Sequence, residues 1–302
     1  MNPLASDGST RRHPTVDPSI SRVPTERRIS GTKEGVMRAF RLAYDGRPFY
    51  GFQRQPTVPT VEGTLFDALR ELGVLDPDER KPSGYAAAGR TDRGVSAVAQ
   101  TIGLAAPEWL TPRALNGVLP GSIRAWAHAD TGSFHATHDA VAREYTYQLH
   151  APAADDERAR TVMRRLAGEH DFHNLTPDDH NTVRTLAGEI ERDSEFLIVT
   201  LRAGGFSRQL VRRIVTLVRN VATGDASLSM VDRALSDEEL SGPGGIAAAP
   251  AAPLVLTGVD YPELDFRVDN EAAASARELF ENVRTEAATR ARVAGEIEQR
   301  IE

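Results

Sequence analysis

Apolar and polar positions begin to alternate at Phe40, Leu42 and Tyr44, with Arg41 and Ala43 between them, and this predicts a half-buried strand. Asp45-Gly46 is the turn signal that ends it. The period then lengthens: Thr60 can cap a helix whose apolar stripe is Val61, Leu65, Leu69 and Leu72. A short apolar run, Tyr85 to Ala88, leads into the loop Gly89-Arg90-Thr91-Asp92-Arg93-Gly94, and a strand is expected from Val98 to Leu104. Thr111-Pro112 has the form of a helix start, and Ile123 to His128 reads as a further strand.

From Val141 to Leu149 the odd positions are Val141, Arg143, Tyr145, Tyr147 and Leu149, and the even ones are Ala142, Glu144, Thr146 and Gln148. That is a strand with one apolar face, and Arg143 sits on it. Beyond it the pattern predicts a helix near 156–167, strands near 183–192 and 195–202, and a long helix from Phe206 to Thr223 ended by Gly224. The Gly-, Ala- and Pro-rich stretch 241–253 reads as a loop before a strand from Leu254 to Tyr261, and 268–301 as a charged terminal helix with a solvated surface. The element order is mixed α/β with antiparallel pairing expected.

A length of 302 residues points to two lobes or one large unit. Residues 1–36 are poor in large apolar groups and carry prolines at 3, 14, 18 and 24, which predicts a disordered leader, with Met37 the expected start of the folded chain. The other expected divisions are an N-terminal α/β lobe over 37–150, a C-terminal α/β lobe over 151–262 and the terminal helix over 263–302. There are no cysteines, which excludes disulfides, thiolate metal sites and cysteine nucleophiles. No apolar run is long enough to span a membrane and no secretory signal precedes the fold, so the expected address is the cytoplasm. The net charge is −7, and only Lys33 and Lys81 of the 36 cations are lysines. An acidic balance argues against general attraction to nucleic acid, yet a local arginine cluster can overcome it.

Candidate chemistry is concentrated in three places. In Gly89 to Ala97 two glycines bracket Arg90-Thr91-Asp92-Arg93; a carboxylate held between cations can act as nucleophile or base, or simply cap a turn. On the helical arc, Arg208, Arg212 and Arg219 share one side, and Arg212 lies near the apolar edge, where it can pair with a buried carboxylate or face solvent. Tyr145 is an aromatic on an apolar strand face, the ordinary position of a core residue. Two histidine pairs, His135 with His138 and His170 with His173, lack a third ligand at recognisable spacing, and no nucleotide-binding loop or dinucleotide fingerprint is present, so neither metal nor cofactor is expected.

In chain order the segments resemble the tRNA pseudouridine synthase A family. Tyr44-Asp45-Gly46 with Tyr50-Gly51-Phe52-Gln53 is similar to its first strand and turn, and Thr60-Val61-Glu62-Gly63 to its first helix. Gly89-Arg90-Thr91-Asp92-x-Gly94-Val95 is similar to its catalytic loop, with Gln100 following. Leu115-Asn116-x-x-Leu119-Pro120, Phe134-His135-Ala136, Arg143-x-Tyr145-x-Tyr147, His170-Asp171-Phe172, Phe206-x-x-x-Leu210-Val211-Arg212 and Val259-Asp260-Tyr261-Pro262 keep the family's order.

The resemblance covers about residues 37–262. It implies an α+β, two-lobed pseudouridine synthase fold with a central mixed, mainly antiparallel sheet flanked by helices. It implies a homodimer that isomerises uridine to pseudouridine at positions 38–40 of the tRNA anticodon stem-loop. By the same resemblance Asp92 is the catalytic aspartate, Tyr145 packs against the target uracil, Arg212 pairs with the aspartate and Arg90 helps open the RNA. Arg54, Arg93, Arg143 and Arg208 are candidate RNA contacts. The chain departs from the family pattern at Ser96 (usually His), Phe52 (often Trp), Thr137 (an expected arginine) and Arg93 (usually small). A tRNA-binding protein that has lost catalysis would share the fold and the arginines, and a glycoside or nucleoside hydrolase would need a second carboxylate that no spacing supplies.

Overall fold

Strand β1 (Val36–Tyr44) is buried on both faces, not on one as its alternation suggests. Ala39 and Ala43 are covered along with Phe40, Leu42 and Tyr44, and Arg41 lies against the Phe266 ring at 4.3 Å. The computed structural model describes residues 35–240, 242 and 245–301. The leader expected over 1–36 falls outside these but for its last two residues.

Helix α1 (Val61–Glu71) starts where the capping rule places it, with Thr60 Oγ1 accepting from Gly63 N at 3.1 Å. Strands β2 (Ala86–Ala87) and β3 (Ser96–Ala106) flank the loop that carries Asp92. Helix α2 (Pro112–Asn116), with Thr111 as its cap and Pro at its first position, leads to β4 (Ile123–Thr131) and β5 (Ala142–His150). Then come α3 (Asp156–Leu166), β6 (Gly168–Asp171), β7 (Val183–Asp193), β8 (Phe196–Ala203), α4 (Leu210–Thr223) and α5 (Ser229–Ala234). The described chain closes with β9 (Leu254–Asp260), β10 (Arg267–Val268) and α6 (Asn270–Arg300). The short elements β6, α5 and β10 show no period in the sequence because two to six residues are too few to display one.

One ten-stranded sheet runs β10-β4-β1-β3-β9-β5-β8-β7-β6, with β2 on β3. Its pairs are antiparallel except β3 with β9, where Ser96 faces Val255 and Ala97 faces Leu256. This mixed, mainly antiparallel sheet with helices is the fold class that the resemblance implies, and its antiparallel pairs are what the element order leads one to expect. The apolar core divides in two. One cluster gathers α1 and the strands β1, β3 and β4; the other gathers α3, α4, β7 and β8, and Tyr145 packs against both. The parallel β3–β9 pair is where the two halves meet in the sheet.

Helix α4 begins at Leu210, four residues later than the apolar stripe predicts. Tertiary contacts outweigh the periodicity here: Ser207 Oγ donates to Asn181 O, Arg208 N donates to Asp178 Oδ2, and Thr176 Oγ1 donates to Arg208 O. Those bonds hold 206–209 as a turn that ends on Gln209 with φ of 61°, so Phe206 and Arg208 are not on the helix. Its C-terminus is as expected, with Gly224 left-handed at φ of 87°. Helix α6 buries Ala272, Ala273 and Ala276 and exposes most of its remaining surface. No helix among the described residues is long and apolar enough to cross a membrane.

Candidate active site

The Asp92 loop is fastened from beneath. Thr91 is buried and its Oγ1 meets the Tyr44 hydroxyl at 2.7 Å, and burial pushes that phenol well above its usual range. Gln100 Nε2 donates to Gly89 O at 2.9 Å, and Phe52 N donates to Thr91 O at 3.0 Å. Two glycines of the Tyr44–Phe52 segment make this packing possible. A Cβ on Gly46 would sit 2.0 Å from Val95 O, and Gly51 has φ of 101° with its Cβ position 3.0 Å from Thr91 O. Gly46 N also donates to Ser96 Oγ at 3.0 Å, which gives the serine at that position a role in anchoring the loop.

Arg212 approaches Asp92 from the other half of the chain. It occupies the first turn of α4, and its Nη1 donates to Asp92 Oδ2 at 3.1 Å across 120 residues of sequence. The Arg212 side chain is 17% exposed and that of Asp92 35%, so the pair is partly shielded from water and open on one side. A second bond, from Arg212 Nε to Ala249 O at 2.6 Å, fixes the guanidinium plane, and Ala249 N donates back to Arg212 O. The apolar loop before β9 is therefore the support of the arginine. It follows from topology: β9 starts beside β3, so the residues just ahead of β9 lie beside the loop just ahead of β3.

Tyr145 stands on β5 opposite Leu256 and Leu201, where a shift of register in the β5–β9 pairing lies between Glu144 and Tyr145. Its ring meets Phe206 edge-on, centroids 5.1 Å apart. Burial pushes its hydroxyl up to about 12, with Arg143 drawing it down and Asp92 pushing it up. The phenol is thus neutral at any physiological pH, and the ring offers an aromatic surface beside the carboxylate.

Arg143 spends all its donors on main chain. Nε and Nη2 bond Ala88 O, Nη1 bonds Ala140 O and Gly204 O, and Nη2 also bonds Thr137 O. It ties the segment before the Asp92 loop to the segment after β8, a structural task that its place on an apolar strand face foreshadows. Arg90, Arg93 and Arg208 line the same cleft, about 1270 Å³ in volume, together with Asp92, Tyr145 and Arg212. Among the described residues Arg90 and Arg93 have no hydrogen bond or ion pair, whereas Arg208 Nε lies 3.3 Å from Asp178 Oδ1. Arg93 rests over the Tyr50 ring at 4.2 Å. Arg54 is outside the cleft lining, its guanidinium 5.3 Å from the centroid of the Phe66 ring.

The structure therefore brings Asp92, Tyr145, Arg212, Arg90, Arg93, Arg143 and Arg208 around one cleft and leaves Arg54 aside. Tyr50 and Phe206 also line the cleft and the Ala249 carbonyl holds Arg212; the first two stand in the motifs that carry the resemblance but without a role assigned from sequence, and Ala249 is in none of them. An aromatic beside the Gly51 turn was the available signal for Tyr50. A main-chain carbonyl such as that of Ala249 leaves none. Among the described residues no three His, Asp or Glu side chains converge as metal ligands would. A carboxylate held by a cation and open on one side has the chemistry of a nucleophile or a general base.

Comparison with known proteins gives the chain's relatives. A family profile described as tRNA pseudouridine synthase matches residues 162–262. The tRNA pseudouridine synthase A of Natronomonas pharaonis is 60% identical over 262 residues, covering 86% of this chain and 98% of that protein. That of Haloarcula marismortui is 55% identical over 271 residues with the same coverage, and that of Methanosarcina barkeri is 37% identical over 74% of this chain and 84% of its own. Among solved structures, the archaeal box H/ACA sRNP Nop10–Cbf5 complex matches at 20% identity and a TM-score of 0.30, over 58% of this chain and 45% of that one.

Proposed function

The chain belongs to the tRNA pseudouridine synthase A family, and on that premise we propose that it is an isomerase converting uridine to pseudouridine in the anticodon stem-loop of tRNA, at positions 38–40. The observation that carries the reading is the Asp92–Arg212 pair, made between two distant parts of the chain beside the Tyr145 ring. In the reaction the N1–C1′ bond breaks, the uracil turns over, and a C5–C1′ bond forms as the C5 proton leaves. The Asp92 carboxylate either attacks C1′, displacing N1 and being displaced in turn by C5, or takes the C2′ proton to give a glycal and returns it as C5 bonds C1′; on either route the released uracil ends protonated at N1. Both routes need the same oxygen held at the sugar, and Arg212, itself fixed by Ala249 O, holds it.

Reaching that sugar requires the nucleotide to leave its stack, which costs a few kcal/mol. Tyr145 supplies a replacement stacking surface, and Arg90, Arg93 and Arg208 at the cleft mouth meet the phosphates. The resemblance extends the proposal to a homodimer acting in the cytoplasm. The test is tritium release from anticodon-arm tRNA labelled at uridine C5, with the wild type and with Asp92→Ala. Release by the wild type and none by the variant is the expected result. No release from the wild type, with tRNA still bound in both low and molar salt, would make this a binding protein on a synthase fold.

A further inference from the structure

Tyr50 lines the cleft and is 42% exposed, while its neighbours Phe49 and Phe52 are buried. Its main chain is fixed on both sides: Tyr50 N donates to Pro59 O at 2.9 Å, and Tyr50 O accepts from Gln55 Nε2 at 3.0 Å. The left-handed Gly51 then locks the segment against the backbone of 91–93. On this fixed main chain the ring lies next to Arg93, whose guanidinium is 4.2 Å from the ring centroid. Arg93 is exposed, and none of its donors is taken by the described residues. Asp92 is its neighbour in the chain.

We propose that Tyr50 and Arg93 form a second stacking platform, which takes an unpaired nucleobase of the RNA immediately next to the target nucleotide. The inference rests on the reading of the cleft as a uridine-isomerising tRNA site. An arginine meant only for phosphate needs no ring beneath it. A guanidinium supported on a fixed tyrosine presents a flat cationic surface on which any base can stack, with its N–H groups free for a phosphate at the edge. Tyr145 and Phe206 are placed differently: they lie edge-on to each other, with Tyr145 packed on both cores, and suit one inserted ring. The cleft thus holds two aromatic stations, one for the target and one for its neighbour. When the target leaves its stack the neighbour loses a partner, and the platform replaces it.

The experiment is a cycle between protein and RNA. Tyr50→Ala and Tyr50→Phe are each measured with an intact anticodon arm and with arms carrying a single abasic residue on either side of the target. Kd is read by fluorescence anisotropy, and KM and kcat by tritium release. Stacking on a side chain supports an effect of about tenfold. Tyr50→Ala is therefore expected to raise Kd and KM about tenfold with kcat moving less than twofold, and Tyr50→Phe to restore both. At one flanking position the abasic residue makes the wild type as weak as Tyr50→Ala, and the variant loses nothing more. Additive losses at both flanking positions, or a Tyr50→Phe no better than Tyr50→Ala, would overturn the platform. Kd decides this without turnover, so absence of tritium release with the wild type would reject the isomerase reading separately.

Discussion

The floor and the rim of the cleft are both built with arginine, and they use it in opposite ways. On the floor Arg143 gives five hydrogen bonds to carbonyls of four residues, and Arg212 divides its donors between Asp92 and Ala249 O. At the rim Arg90 and Arg93 bond nothing among the described residues, and Arg208 has only a partial claim from Asp178. The same side chain is a structural bolt where its fork is filled by the fold and keeps its donors free where it is not. Other arginines are unbonded among the described residues too, including Arg219, Arg277 and Arg292; what sets Arg90 and Arg93 apart is that they line the cleft beside Asp92, which gives an acidic chain one local cationic opening.

The largest effect should come from the floor. Arg143→Met removes every one of those charge-assisted bonds and leaves partly buried carbonyls unpaired, at a cost of about 3–5 kcal/mol of stability. Urea unfolding should show a lower midpoint at an unchanged slope. Arg143→Lys should recover little of it, because an ammonium cannot reach four carbonyls in one plane. A loss below about 1 kcal/mol would break the comparison by showing that the bonds of Arg143 do not hold the floor together.

That division is only half legible in the sequence. Nearly all long elements are there, because β1, α1, β3 and α3 carry their period and caps in their own residues. The start of α4 is not, because bonds to Asn181 and Asp178 decide it and a periodic stripe cannot show them. The cleft residues Asp92, Tyr145 and Arg212 are legible as types at suitable spacings, and the resemblance joins them. What separates Arg143 from Arg90 is which carbonyls lie nearby. That depends on where β2, β5 and the Gly204 turn converge, a property of the assembled sheet.

Arg212→Lys sharpens the contrast at an intermediate scale. Lysine keeps a positive charge near Asp92 but loses the Nε bond to Ala249 O that orients it. One charge-assisted hydrogen bond, about 1.5–3 kcal/mol, corresponds to a fall in kcat of roughly 10- to 150-fold, with KM for tRNA little changed. Single-turnover tritium release separates this from slower binding. An equal fall from Arg212→Ala and Arg212→Lys would show that the anchored geometry, and not charge alone, is what the carboxylate needs.

The smallest effects belong to the rim, and their signature is salt. Each arginine that meets a phosphate contributes about 0.7–0.9 to the slope of log affinity against log salt. Arg90→Ala should therefore weaken binding of the anticodon arm several-fold at low salt, flatten the slope by about one contact, and lose its effect as salt approaches molar. Arg208→Ala should do the same and somewhat more at low salt, since removing it also frees Asp178, 3.3 Å from its Nε, which repels the same phosphates. Fluorescence anisotropy titrations at four or five salt concentrations measure both slopes. A variant of either residue that lowers kcat and leaves the slope intact would belong to the floor despite its exposure, and the line between the two regions would then have to be drawn by contact with the reacting sugar rather than by which arginines the fold has left unbonded.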